Sequence, residues 1–449
     1  MKTIVIAGAT GFIGRWFIER YHKTHKIIAL SRSDVQSEAY PEVEWRKANL
    51  YSLSSTTDAL KGADYALYLV HSMQPSTRLN QGDFEDTDLL LADNFARAAA
   101  ACKLKQIVFI GGILPKDSDD FSTHLRSRFE TEQTLGSRSI PVTVLRAGII
   151  IGPGGSSFQI VQKLVNRLPI MACPQWCKSP SQPIDVEDML NVIDESFGNQ
   201  QVYGKSIELG GKETITYMEL LKLPAKAMGK QRTSFSIPFF TLGFSKLWVA
   251  LFSDSSRTFV SPLIESLRHD MQVKENQEYT FQNIRVGIDE SIQKAMHDAA
   301  PSLNRKRVVQ EETNTVRSVQ RLANPGNKSV EWVATTYTKW LPTFFQFILR
   351  AKEKDDIISF RLFGFTLLQL KYMSERSDDR RKLFYIVGGR LAKRGDYGWL
   401  EFRSVLDNQY IIAAIHEFVP ALPWFLYRNT QAVMHLFVMK QFNRFLARQ

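Results

Sequence analysis

Strand-like runs, most of them apolar, recur at regular intervals through the first 150 residues, at about 3–7, 26–31, 43–48, 64–70, 106–111 and 142–150. Between them apolar positions fall at helical spacing, most clearly at 86–102. Buried-strand runs alternating with amphipathic helices predict an α/β fold, a doubly wound parallel sheet. From 151 the pattern loosens into a helix at 158–168 and a strand, turn and capped helix through Leu209-Gly210-Gly211 and Ile215 to Glu219. Past Pro301 it fails in a polar stretch and resumes with different periods. An aromatic helical segment (337–349) precedes apolar runs at 357–363 and 382–390. Two alternating runs, 398–405 and 410–418, flank a turn-forming Asp407-Asn408, which predicts a hairpin. One helix is expected at about 423–447. The predicted domains are therefore 1–300, with a substrate lobe mainly within 151–300, a linker at 301–328, and 329–449.

Candidate chemistry begins at the first turn. The run Gly8-Ala-Thr-Gly11-Phe-Ile-Gly14 follows the first strand and opens the first helix. There Gly8 permits a tight turn, Gly11 lets backbone approach a pyrophosphate, and Gly14 lets helix and strand pack closely. A dinucleotide would rest its phosphates on the helix N-terminus. The second strand ends in Ser31-Arg32-Ser33, where an acidic residue would select NAD. An arginine between hydroxyls suits a 2′-phosphate, so NADP(H) is expected over NAD(H). Asp34, just beyond, keeps NAD(H) open.

These motifs, with Asn49-Leu50 after the third strand, Leu69-Val70-His71 after the fourth, Leu145-Arg146-Ala-Gly148 and Gly152-Pro153-Gly154, resemble an atypical short-chain dehydrogenase/reductase. The chain is similar to the branch that contains a dinucleotide-binding accessory subunit of respiratory complex I and bacterial relatives with an appended C-terminal domain. The resemblance covers about 1–300. It implies that Gly8, Thr10, Gly11, Phe12, Ile13 and Gly14 line the pyrophosphate. Ser31, Arg32 and Ser33 would meet the 2′-phosphate, Asn49 and Leu50 the adenine, and Val70 and His71 the ribose.

The implied catalytic set is a Tyr-x-x-x-Lys helix with an upstream serine, and this chain departs from it. Gly111-Gly112 stand where the serine would be, and the helix reads His124-Leu-Arg-Ser-Arg128, with His124 in place of tyrosine and Arg128 in place of lysine. One turn apart, these two share a helix face. Arg128 can hold a ribose or phosphate but cannot relay a proton, its pKa staying above ~12. His124 can exchange one near neutral pH. Three readings stay open: a reductase with His124 as acid, a cofactor-binding sensor, scaffold or assembly protein without turnover, and a purely structural His124. Glu187 and Asp188 read as caps of the following helix in preference to catalytic acids. The aromatic stretch 235–252 (Phe235, Phe239, Phe240, Phe244, Trp248, Phe252) reads as core or as an apolar lip over the cleft.

Charge separates the two ends. Residues 301–449 hold 24 basic and 13 acidic side chains, leaving 33 of each sign in 1–300, and they carry 23 of the 51 aromatics. Antiparallel strands before a C-terminal helix, with Phe418-Val-Pro420 leading into Leu422-Pro-Trp424-Phe-Leu-Tyr427, resemble the helix-grip fold of START-type carriers. That resemblance implies a hydrophobic, lipid-like ligand. The aromatics fall at core positions, which disfavours nucleic acid. Arg390, Lys393 and Arg394, with Lys352 and Lys354, suit an anionic membrane surface or an acidic protein partner. Three cysteines fit a reducing compartment, and Cys173 and Cys177 lack further ligands for a metal, so none is expected. No run reaches the ~18 to 20 uninterrupted apolar residues of a spanning helix. Met1-Lys2 and the following run lack a cleavage site, so a cytoplasmic protein, peripheral at most to a membrane's inner face, is expected.

Overall fold

The computed structural model describes residues 1–34, 37–72, 79–115, 121–237, 265–266, 269–275, 277–303, 315–346, 348–393 and 398–449. The chain forms two units, residues 1–73 with 94–308 and residues 74–93 with 309–449. The segment 238–252, the basic run 305–307 and Arg394 lie outside the described residues.

In the first unit, β1 (Thr3–Ala7), β2 (Lys26–Ser31), β3 (Glu44–Lys47), β4 (Tyr65–Tyr68), β6 (Gln106–Gly112), β7 (Val142–Ala147) and β8 (Ser206–Leu209) make one sheet in the order β8-β7-β6-β4-β1-β2-β3. β5 belongs to the second unit and is described with it. Every neighbouring pair is parallel. The doubly wound α/β sheet expected from the apolar runs is therefore present. Its inner strands are buried on both faces, which is why they read as continuous apolar runs instead of alternating ones, whereas the edge strand β3 has no buried residue. The helices between them are α1 (Phe12–Tyr21), α2 (Leu53–Leu60), α3 (Phe84–Ala101), of which residues 94–101 belong to this unit, and α4 (Thr123–Leu135).

The lobe after β7 has its own core. Within it α5 (Ser156–Arg167), α7 (Tyr217–Ala227) and α8 (Ile288–His297) bury Phe158, Leu164, Leu220 and Ile292 against one another, together with Cys173 and Cys177. A reciprocal capping box between Thr216 and Glu219 starts α7. The start of α6 (Val186–Ser196) is capped by Asp185, whose carboxylate accepts the Glu187 N–H at 2.7 Å. Asp188, in the same first turn, accepts the backbone N–H groups of Arg285 and Val286 at 3.0 and 2.9 Å. Both acids expected at this helix start are thus in its first turn, but the cap itself is Asp185.

The second unit differs from the expected linker-plus-domain arrangement. Residues 316–323, inside the expected linker, form a fully paired strand, β9 (Val316–Ala323). The other strands are β5 (Leu79–Gln81), β10 (Leu349–Lys354), β11 (Ile357–Leu362), β12 (Phe365–Tyr372), β13 (Arg381–Gly388), β14 (Trp399–Val405) and β15 (Tyr410–Phe418). Their order is β10-β11-β12-β13-β14-β15-β9-β5. All pairs are antiparallel except β9 with β5. The hairpin expected about Asp407-Asn408 is β14–β15, and Leu406, Asp407 and Asn408 all take positive φ to turn it.

Side chains alternate across this sheet with period two. Leu400 and Phe402 of β14 join an apolar core with α9 (Val330–Phe344) and the C-terminal helix. Glu401 and Arg403 point to the other face, where charge is buried instead. Arg403 is fully buried and pairs with Asp93 at 2.8 Å and with Glu401 at 3.0 Å. Glu401 also takes Arg381 at 2.6 Å and His416 at 3.1 Å. Asp86 pairs with Arg321 at 2.7 Å. The single C-terminal helix expected is in fact two, α10 (Trp424–Asn429) and α11 (Gln431–Leu446), broken at Thr430 (φ −125°, ψ −79°).

Candidate functional site

The strand order of the first sheet reverses between β1 and β4, and in doubly wound sheets ligands bind in the crevice beyond the carboxyl ends at that reversal. The glycine turn sits there. Gly8 takes φ +94°, and a Cβ on it would stand 3.0 Å from Leu69 in the turn after β4. A Cβ on Gly14 would come within 2.6 to 2.8 Å of the Gly8 and Ala9 backbone, so α1 can approach β1 only with glycine in its first turn. Gly11 is the N-cap of α1. No side chain caps this helix and its first turn has no acidic residue, so its amide groups and positive dipole end are offered to an anion. Thr10, Phe12 and Ile13 lie in the same turn. The loop 152–155 packs against it: a Cβ on Gly152 or Gly155 would stand 3.2 Å from the Phe12 ring, and Pro153 accepts a hydrogen bond from Trp16 Nε1 at 3.1 Å.

At the end of β2, Arg32 is exposed and Ser31 Oγ accepts the Ser33 N–H at 3.3 Å. Asp34, two residues past Arg32, pairs with Lys47 at 3.1 Å. Asn49 turns its carboxamide oxygen onto the Tyr51 N–H at 3.2 Å, in the turn before α2, and Leu50 offers its carbonyl to Asn94 at 2.8 Å. The Asn49 side chain thus fixes the turn before α2.

Val70 and His71 follow β4. The His71 ring lies 5.2 Å from that of His124 on α4, so the residue expected at the ribose and the one in the tyrosine position form an imidazole pair. Ser266 Oγ is 3.5 Å from His124 Nδ1 and 2.7 Å from Ser122 Oγ, the N-cap of α4, which also accepts the Leu125 N–H. Sequence reasoning did not find Ser266, because nothing in its local pattern signals a neighbour 142 residues away. Arg128, one turn on, is buried with 8% of its surface exposed. It donates to the carbonyls of Val70 and Ile110 and lies over the Phe109 ring at 4.4 Å. Its guanidinium group ties together the ends of β4 and β6. Where the serine of the resembled family would stand, a Cβ on Gly112 would sit 2.7 Å from Leu125 Cδ2, so that space is already taken.

The sequence profile of the NmrA-like family matches residues 1–308, more than half of the chain. The chain belongs to the NmrA-like family. Over 142 residues this NmrA-like chain is 26% identical to the auxiliary protein GraX of Staphylococcus aureus, and it spans only 42% of that protein's length. Among solved structures it is similar to the triphenylmethane reductase of Citrobacter sp., with TM-score 0.51 and 16% identity, over 66% of this chain and 99% of that one. The enzyme WbmG of Bordetella bronchiseptica, solved in complex with NAD, is similar with TM-score 0.46 and 13% identity, over 66% of this chain and 92% of that one. At these identities the likeness is one of fold. Among the described residues no group of three His, Cys, Asp or Glu side chains could hold a metal, and no helix is long and apolar enough to cross a membrane.

Proposed function

We propose that the first unit binds NADP(H) on the Gly8–Gly14 turn and reduces an apolar carbonyl or quinone-like compound, with His124 as the proton donor. The observation that carries the reading is the imidazole pair His71–His124, linked to Ser266 and Ser122, beside the crevice where α1 offers its amide groups. The glycine turn fits a pyrophosphate because side chains are excluded from it at Gly8 and Gly14. A bound dihydronicotinamide supplies a hydride. His124 supplies the proton to the substrate oxygen, and Ser266 and Ser122 offer hydroxyls through which the ring regains one. Arg128, committed to two carbonyls, positions the strand ends that carry His71. The Citrobacter enzyme of similar fold is a reductase of triphenylmethane dyes, which supports an apolar, conjugated substrate here.

A second reading, cofactor binding without turnover, is favoured by one observation: Leu125 occupies the serine's space. Steady-state oxidation of NADPH with menadione or 9,10-phenanthrenequinone separates the two. Turnover that falls at least about 100-fold in His124→Phe, with NADPH affinity kept, is expected. Full activity in that variant contradicts the role of His124, and tight NADPH binding with no oxidation by either quinone selects the second reading. For the second unit we also propose a helix-grip-type arrangement, supported by its antiparallel meander and by the packing of α11 on the sheet's apolar face.

A further inference from the structure

The second unit contains a cavity of about 870 Å³ between its sheet and α11. Protein interiors are close-packed, and a void this large lies in the ~300–1,000 Å³ range of small-molecule sites. Its walls are apolar side chains such as Phe360, Leu370, Leu400 and Ile415, and among the described residues no charged one lines it. The mouth lies where α10 gives way to α11. Val433, Met434 and Phe437 line the cavity there while 57, 50 and 47% exposed, an arrangement that leaves an apolar path to solvent.

Besides the Tyr337 and Tyr427 hydroxyls, the lining holds the polar side chains of Gln81, Ser318, Asn429, Thr430, Gln431 and His435. Asn429 and Thr430 donate to the carbonyls of Phe425 and Leu426, and Gln431 Oε1 is buried without a partner among the described residues. Gln81 is spent, donating to the Ala432 carbonyl at 2.9 Å. Ser318 Oγ accepts from Gln320 Nε2 at 3.4 Å and lies 3.1 Å from His435 Nε2. The Ser318 hydroxyl proton has no other acceptor among the described residues, so it goes to His435 Nε2, and the imidazole proton then sits on Nδ1. Burial pushes His435 down to about 4, so the ring is neutral at physiological pH. Among the described residues its one hydrogen bond is that to Ser318, which leaves Nδ1–H as a single neutral donor on a ring that lines the cavity.

We infer that this cavity binds an elongated, uncharged apolar molecule whose one acceptor oxygen, of the ketone, aldehyde or ester kind, is met by His435. An anionic head group would find no cation there. A pure hydrocarbon would leave the imidazole N–H without a partner, which costs about as much as a lost hydrogen bond. The inference concerns the second unit alone and stands whether or not the first unit turns over.

The test uses the full-length protein and diphenylhexatriene, a fluorescent hydrocarbon, displaced by 2-dodecanone or by dodecanoate at pH 8. Saturable binding at one probe per chain is expected, with the ketone displacing it at least tenfold more effectively than the carboxylate. Val433→Trp, at the mouth, should weaken probe binding at least fivefold. His435→Leu should leave the probe within threefold while weakening the ketone about tenfold, and circular dichroism confirms that both variants are folded. The inference is overturned by absence of saturable binding to folded protein, by dodecanoate binding as tightly as the ketone, or by His435→Leu changing ketone and probe equally. It is also overturned if light scattering shows a dimer that the probe dissociates, since a second copy would then be the occupant of the mouth.

Discussion

Arg403 is a long cationic side chain with no exposed surface, and its neighbours show how this charge is tolerated. Burial by itself would raise the Glu401 carboxyl, but Arg403, Arg381 and His416 outweigh it and hold Glu401 well below the ordinary carboxylate value. Removing one partner leaves the others buried and uncompensated, so Arg403→Leu should destabilise the second unit by about 3–5 kcal/mol in urea unfolding. A loss below about 1 kcal/mol would show that water reaches this face. In the first unit, the places of the glycines, Arg32, His71 and His124 in the fold were legible in the sequence because each sits at a fixed offset from a strand or helix end. The task of Arg128 was less so. Spacing put it on the face of His124, but only the fold shows its guanidinium group closing on Val70 and Ile110. Ser266 carried no local signal at all.

At the scale of elements, the unexpected one is β5. Its three residues, Leu79–Gln81, pair in parallel with the start of β9, more than 230 positions later, and no periodicity of three residues can announce that. The approach is close. Gly82, which follows β5, takes φ +151°, and a Cβ there would lie 2.2 Å from the Val319 carbonyl oxygen. Gly82→Ala should therefore cost at least about 2 kcal/mol in urea unfolding, combining strain with backbone displacement. Gly62→Ala is the control, at φ +80° with open space around it, and should cost only about 1 kcal/mol. Equal costs would mean that β5 is not held against β9. The inner parallel strands were readable because burial on both faces makes each a continuous apolar run. The antiparallel β10 was not, since five of its six residues are exposed at the sheet edge. Arg350, Lys352 and Lys354 there do what charges on an edge strand do, discouraging pairing with another chain. The break at Thr430 escaped notice because α10 and α11 are both apolar and neither glycine nor proline separates them.

For the whole molecule, the insertion of 74–93 changes the charge account. By sequence, the entire excess of +11 lay in 301–449. The second unit as folded gains the acidic residues Asp83, Glu85, Asp86, Asp88 and Asp93 and holds 22 basic against 18 acidic side chains, a net +4. Part of the basic character of the back half is thus answered inside its own unit, by Asp86 on Arg321 and Asp93 on Arg403. Acid should unfold this unit. Burial lowers both His435 and His416, so their contribution is present above the unfolded value near 6.5 and is lost as pH falls, for His435 down to about 4. Asp86 works in the opposite sense, since burial raises its carboxyl despite Arg321. Thermal midpoints from pH 7.5 to 4.5 should decline, and less steeply in His435→Leu. Identical slopes would show that this ring is protonated in the folded state. The dinucleotide site itself is tested most directly by calorimetric titration of the full-length protein with NADPH and NADH. The account predicts one site per chain, NADPH at least tenfold tighter than NADH, and loss of that preference in Arg32→Glu. Absence of binding by either nucleotide, or a preference for NADPH that survives Arg32→Glu, would contradict it.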